Sequence, residues 1–170
     1  MVLIDQHAAH ERVLFEKLRH QLGNATVVRQ ALLFPHMVEV SQAEGHILGT
    51  FRDELDKLGL EIEPFGGNTF VVKSVPQVVA NEGVESLVKD IIGELVSEGR
   101  TLKEEAAVDK ILLVMACHGA IKANRALRDE EMQALLRDLG EIDFASTCPH
   151  GRPIFSEIDY PHLERLFKRR

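Results

Sequence analysis

An α+β fold in two lobes is predicted for this 170-residue chain by three features of its sequence. Apolar residues recur at helical spacing near both ends, a hairpin signature occupies the middle, and glycines punctuate the segments between them. One lobe is expected from residues 1–29 plus 101–170. The other is an inserted lobe over 30–100, built from a hairpin flanked by helices.

Taken in order, Val2-Leu3-Ile4 read as the end of a buried strand, so the chain is expected to be cut from a longer protein. A helix is expected from about Gln6 to Leu22, with Asp5 as its cap, His7, Leu14, Leu18 and Leu22 at helical spacing, and Gly23-Asn24 as its stop. "QALLFPHMVEVS" reads as extended and interrupted by Pro35. A helix then runs from about Gln42 to Leu58, with Ile47, Phe51, Leu55 and Leu58 on one face and Gly59 ending it. "LEIEPF" and "TFVVKSV" flank "GGN" and predict a hairpin. Val84, Leu87, Val88, Ile91, Ile92 and Leu95 predict an amphipathic helix ending near Gly99. A long helix follows, with Val108, Ile111, Leu112, Met115 and Ile121 on its apolar side, and it carries Cys117 and His118. Another runs from Asp129 to Leu139, with Asp129 as cap and Gly140 as stop. The remainder is a loop bearing Cys148 and His150, then a short helix.

With 45% hydrophobic and 28% charged residues, the composition excludes a disordered chain and fits a soluble globular one. No apolar run is long enough to cross a bilayer, no membrane partner is expected, and the start does not resemble a secretory signal. Cytoplasm is the expected location. The formal charge of −7 argues against a protein that binds nucleic acid chiefly by neutralising many phosphates. A local positive patch remains possible in "LERLFKRR", with Arg165, Lys168, Arg169 and Arg170, although such a tail is more often simply solvated. Cys117 and Cys148 read as a buried small side chain or a metal ligand rather than a disulfide framework.

Two clusters carry chemistry. In "DQHAAHERVLFE", His7 and Glu11 are four residues apart, so their side chains lie one above the other on a helix and can close on one ion. Asp5, at the junction, either caps the helix or turns toward that ion. His10 lies about 60° from His7 and is a neighbour, while Glu16 falls on roughly the opposite face. On spacing alone, a solvated and well-capped helix start is the commoner meaning of such a turn. In "CPHGRP", residues 148–153, a thiolate and an imidazole on a proline-stiffened loop lie within reach of a borderline-soft ion such as zinc, and Gly151 removes a side chain that would crowd it. A buried cysteine beside a surface histidine is the competing reading. Cys117 has a plain core thiol as its alternative.

Together these pieces resemble one known set in one order. "DQHAAHERVLFE" fits the pattern D-Q-H-A, two residues, E, four residues, E of the nuclease-type MutL proteins of DNA mismatch repair. "ACHGAIKA", "CPHGRP" and the terminal "FKR" are similar to later motifs of the same C-terminal domain. One departure is visible: His118 stands where the family commonly has a basic residue. The resemblance covers essentially the whole chain. It implies that Asp5, His7, Glu11, Cys117, Cys148 and His150 build a metal site for nicking double-stranded DNA, with Asp5 and Glu11 catalytic and Glu11 able to bridge two ions. It further implies zinc in a structural or regulatory role and manganese or magnesium for cleavage, a split that the mixed thiolate and carboxylate donors permit.

"QALLFP" resembles the linear motif by which bacterial repair proteins dock onto the sliding clamp, with Gln30 as anchor, Leu32, Leu33 and Phe34 as apolar plugs, and Pro35. An ordinary half-buried strand is the alternative. The resemblance also implies a homodimer, with the MutL N-terminal ATPase domain, MutS and the clamp as partners in the full protein. Weak DNA binding and little or no nicking are expected from this chain alone. Two rivals stand beside the nuclease: a non-catalytic dimerisation module held by one zinc, and a zinc hydrolase acting on a small molecule. A structural site has no use for Asp5 and Glu11, and a small-molecule enzyme needs a deep pocket.

Overall fold

A computed structural model describes residues 1–97, 104–122, 125–143 and 146–169. The mixture of helices and small antiparallel sheets is α+β, as expected. The chain divides into two compact units, Met1–Val13 with Ala120–Arg170, and Leu14–Gly119. The middle block 30–100 lies within the second.

The first unit opens with strand β1, Val2–Ile4, and the start of helix α1, Gln6–Gly23. It continues with α6, Asp129–Gly140, then β5, Phe155–Glu157, and α7, Tyr160–Leu166. β1 and β5 pair antiparallel, Leu3 opposite Ser156. Val2-Leu3-Ile4 do form a strand but not a buried one, because this sheet has two strands and Val2, Leu3, Ile4 and Phe155 all remain exposed. The core gathers Ala8, Ala9 and Val13 of α1, Leu135 of α6, and Cys148 and Ile154. Ala8 and Ala9 leave room for close approach, and the Ile154 carbonyl accepts from the Asp5 N–H at 2.8 Å, tying the helix start to the segment before β5. Asp129 is not the cap of α6: it is the first helical residue, and the Glu131 carboxylate reaches back to the Arg128 N–H at 2.9 Å. That bond holds Glu131 below the usual carboxylate range.

The second unit takes the rest of α1, a three-stranded antiparallel sheet in the order β2-β4-β3, and helices α2 to α5. Its strands are β2, Arg29–Glu39; β3, Glu61–Gly66; and β4, Thr69–Pro76. β3 and β4 form the expected hairpin, and β4 sits centrally with Phe70, Val72, Ser74, Val75 and Pro76 buried. Pro35 does not interrupt β2. Instead the strand runs through with its register shifted between Ala31 and His36, so four residues bulge out of the ladder.

The single helix expected over 42–58 is two, α2 at Gln42–Thr50 and α3 at Arg52–Lys57. Phe51 breaks it at φ −100°, ψ 18°, where Thr50 Oγ1 donates to the His46 carbonyl at 2.9 Å and competes with the backbone ladder. The break changes which residues are buried: Leu48, Leu55 and Leu58 are, while Ile47 and Phe51 are only half-buried. Ser41 and Glu44 close a capping box at the start of α2. Helix α4, Val84–Ser97, buries Leu87, Val88, Ile91, Ile92 and Leu95 as its spacing predicts. It packs against β2 and against α5, Glu104–Gly119. The expected stop at Gly99 lies outside the described residues, as does Arg170 of the basic tail. α5 buries Ala107, Ile111, Leu112, Met115 and Ala116 and ends at Gly119, so Ile121 lies beyond it rather than on its apolar side.

Candidate metal centre

α1 starts where it does because Asp5 caps it: its Oδ1 accepts from the N–H groups of His7 at 2.9 Å and Ala8 at 3.1 Å. From this fixed start, one turn separates His7 from Glu11, and the two side chains meet as the spacing predicts. His7 Nε2 lies 3.1 Å from Glu11 Oε1. The other oxygen, Oε2, lies 3.4 Å from His150 Nδ1.

Cys148 and His150 are set by a hairpin connection. The Gly151 N–H donates to the Cys148 carbonyl and the Cys148 N–H to that of Arg152, both at 2.8 Å, with Thr147 bridged to Pro153. Pro149 supplies the preset φ of the first turn position, and Gly151 takes φ +84°. The glycine is required by that left-handed conformation and not by crowding, since a Cβ there would meet nothing within 4 Å. Arg12 of α1 anchors the loop, its Nε donating to the Thr147 carbonyl at 2.8 Å.

The result is a group of Glu11, Cys148 and His150 whose ligand atoms all lie within 4.8 Å of one another. Glu11 is 3% exposed, and Oε2 has no hydrogen-bond partner among the described residues. A buried carboxylate oxygen left so is costly unless a cation completes it. His7 points the same way. Its Nδ1 lies 2.9 Å from the Ile121 carbonyl, which can only accept, so Nδ1 carries a proton and Nε2 is the ring nitrogen that faces Glu11. Carbonyl-anchored imidazoles of this kind are common among metal ligands. The donor set therefore fits a divalent ion.

The other expected residues are placed as follows. Asp5 commits Oδ1 to the cap. Cys117 is half-buried near the end of α5, in the second unit, and Cys148 is buried; the two are not joined in a disulfide. His118 Nε2 meets Asp90 Oδ2 at 2.8 Å. Leu33 and Phe34 lie at the β2 bulge, 88% and 81% exposed; Gln30 and Pro35 are exposed and Leu32 is half-buried. Sequence reasoning missed the structural parts of Arg12 and His10; their helical spacing to Glu11 and His7 was the available signal, but their partners are backbone groups far away in the chain.

Fold and ligand group together define an α+β domain with a candidate metal centre on one helix turn and one hairpin, and no described helix is long and apolar enough to cross a membrane. The family model described as MutL C terminal dimerisation domain matches residues 1–127. The DNA mismatch repair protein MutL of Syntrophotalea carbinolica is 46% identical over 99% of this chain and 27% of its own length. MutL of Geobacter sp. strain M21 is 42% identical over 99% of the chain and 26% of its length, and that of Bartonella bacilliformis 39% over 100% and 28%. The chain belongs to the MutL C-terminal dimerisation domain family of DNA mismatch repair. It spans about a quarter of the length of these relatives, and their similarity, unlike the family model, extends over Cys148 and His150.

Proposed function

We propose that this domain is the metal-dependent endonuclease part of a mismatch-repair protein, nicking double-stranded DNA, and that it also joins two copies of that protein. The observation that carries the reading is the buried Glu11 carboxylate, one oxygen facing His7 and the other, unsatisfied, facing His150 beside Cys148. Such a carboxylate suits a bridge between two ions. Bound there, divalent ions would supply a nucleophilic water at neutral pH and neutralise charge on the phosphoryl oxygens, zinc suiting the thiolate and manganese or magnesium the carboxylates. Glu11 holds its two oxygens in place by burial, His7 presents Nε2 with its Nδ1 held by the Ile121 carbonyl, and the hairpin fixes Cys148 and His150 together. With DNA as substrate, the place of action is the bacterial cytoplasm.

Asp5 decides between this reading and a zinc-held dimerisation module. The rival is favoured by one observation, the commitment of Asp5 Oδ1 to the helix cap. Asparagine caps helices as well as aspartate does, so Asp5→Asn leaves the fold in place while removing the charge. In a longer chain that includes the ATPase domain, with manganese and clamp, Asp5→Asn is expected to reduce nicking of supercoiled plasmid to background with an unchanged circular dichroism spectrum. Undiminished nicking would take Asp5 out of the catalytic set, and no nicking by the unsubstituted longer chain would sink the nuclease reading and leave the zinc module.

Self-association is supported by the exposed apolar residues of the first unit, Val2, Leu3, Ile4 and Phe155 on the two strands and Met132 and Leu136 on α6. Docking onto the sliding clamp is supported by the β2 bulge, which turns Leu33 and Phe34 into solvent with Gln30 and Pro35 beside them. The ATPase domain and MutS supply further recruitment in this scheme, because an acidic domain holds DNA weakly by itself. Replacing Leu33 and Phe34 together by alanine removes little surface that the fold buries. It is expected to leave thermal stability within about 0.5 kcal/mol, as surface changes do, and to abolish clamp binding in a pull-down. A stability loss with clamp binding intact would return the segment to an ordinary strand.

A further inference from the structure

We infer that His10 is a positioning residue for the metal centre, acting through the backbone of Ile121 on the tautomer of His7. This rests on the reading of His7 and Glu11 as ion ligands. His7 and His10 are three residues apart on α1, so their rings are neighbours on its surface. Both grip Ile121: its N–H donates to His10 Nδ1 at 2.9 Å, and its carbonyl accepts from His7 Nδ1 at 2.9 Å. Ile121 lies outside any helix or strand, so no ladder orients it and these two bonds do.

In neutral rings the two bonds demand opposite tautomers. A backbone N–H can only donate, so His10 Nδ1 is bare and its proton sits on Nε2. A carbonyl can only accept, so His7 Nδ1 is protonated, and in the neutral ring that ion binding requires the lone pair is then on Nε2, 3.1 Å from Glu11 Oε1. Without the His10 acceptor, the 120–122 segment turns more freely, the carbonyl loosens its hold on His7, and the lone pair is free to shift to Nδ1, away from Glu11. His10 thus orients a ligand without being one.

The test compares the 170-residue chain with His10→Leu, which removes the acceptor, and His10→Asn, whose Oδ1 occupies nearly the place of Nδ1. His10→Leu is expected to weaken binding of zinc alone about 10–100-fold, the usual effect of losing an outer-shell partner, and to speed hydrogen exchange of the Ile121 amide. His10→Asn is expected to restore most of both. Nitrogen-15 spectra of the unsubstituted chain read the bond without any substitution, as a coupling across it between the Ile121 amide and His10 Nδ1. Unchanged zinc affinity in His10→Leu, no rescue by His10→Asn, or a protonated His10 Nδ1 would each overturn the proposal. Should His10→Leu fail to fold, the coupling and the His10→Asn affinity decide. A chain that binds no zinc, yet shows the coupling and the Nδ1–H tautomer of His7, ends the metal reading and with it the ligand-orienting role, while leaving the hydrogen bonds themselves in place.

Discussion

Glu11→Gln is expected to lower zinc affinity by more than about 100-fold, beyond the range of an outer-shell change, without lowering the melting temperature of the metal-free domain. The two effects separate because Glu11 is a liability to the fold. Its carboxylate is almost wholly buried in the first unit, and Oε2 has no hydrogen-bond partner among the described residues. Burying a charge without full compensation costs free energy, and an amide of the same shape costs less. Zinc at about a hundred times its dissociation constant should stabilise the unsubstituted chain by about 2.7 kcal/mol, a rise of several degrees that chelation reverses and that Glu11→Gln does not show. Thermal melts with and without chelator make the comparison. If Glu11→Gln melts well below the unsubstituted chain under chelator, Glu11 is a structural anchor and the centre has been misread.

Gly119→Ala is expected to destabilise the second unit by about 1–2 kcal/mol. A Cβ there would stand 2.6 Å from the Val78 carbonyl oxygen and 3.1 Å from Leu14 Cδ1. The leucine methyl can move aside; the carbonyl belongs to a short 3-10 turn, Gln77–Val79, packed against α5 and cannot. Overpacking of this kind costs about 1–3 kcal/mol. The gain in helix propensity, about 0.5–1 kcal/mol in a helix interior, is smaller at a last helical residue. The net loss should appear as a fall of about 2–8 °C in melting temperature for a chain of this size. An unchanged or higher value would mean that the 77–79 turn yields readily.

The same glycine shows how far the sequence could be followed. It stands in "ACHGAIKA", a stretch identified by resemblance, yet its importance is a close contact with a carbonyl some forty residues earlier. The helices Gln6–Gly23 and Val84–Ser97 and the 61–76 hairpin were legible because each is written in local spacing and punctuation. The helix break at Phe51 was not, since it turns on the backbone angles of one residue, with Thr50 bonding back to His46, while the apolar spacing of Ile47, Phe51, Leu55 and Leu58 runs on through it. The exposure of Val2-Leu3-Ile4 was hidden for another reason: an apolar strand says that it needs cover, not whether its own chain provides it.

By itself the sequence determined most of the elements, the placing of His7 and Glu11 on one helix face, and the nearness of Cys148 to His150 on one loop, because all of these act within a few residues, while the choice of Asp5 between cap and ion was left to the structure. Only the tertiary structure decided that the 148–150 hairpin meets the Glu11 carboxylate, that Oε2 is buried without a partner, and that His7 and His10 share Ile121. Those facts depend on segments more than a hundred residues apart being packed into one unit. No local periodicity encodes such a meeting; the burial of Ala8, Ala9, Val13, Cys148 and Ile154 in a common core brings it about.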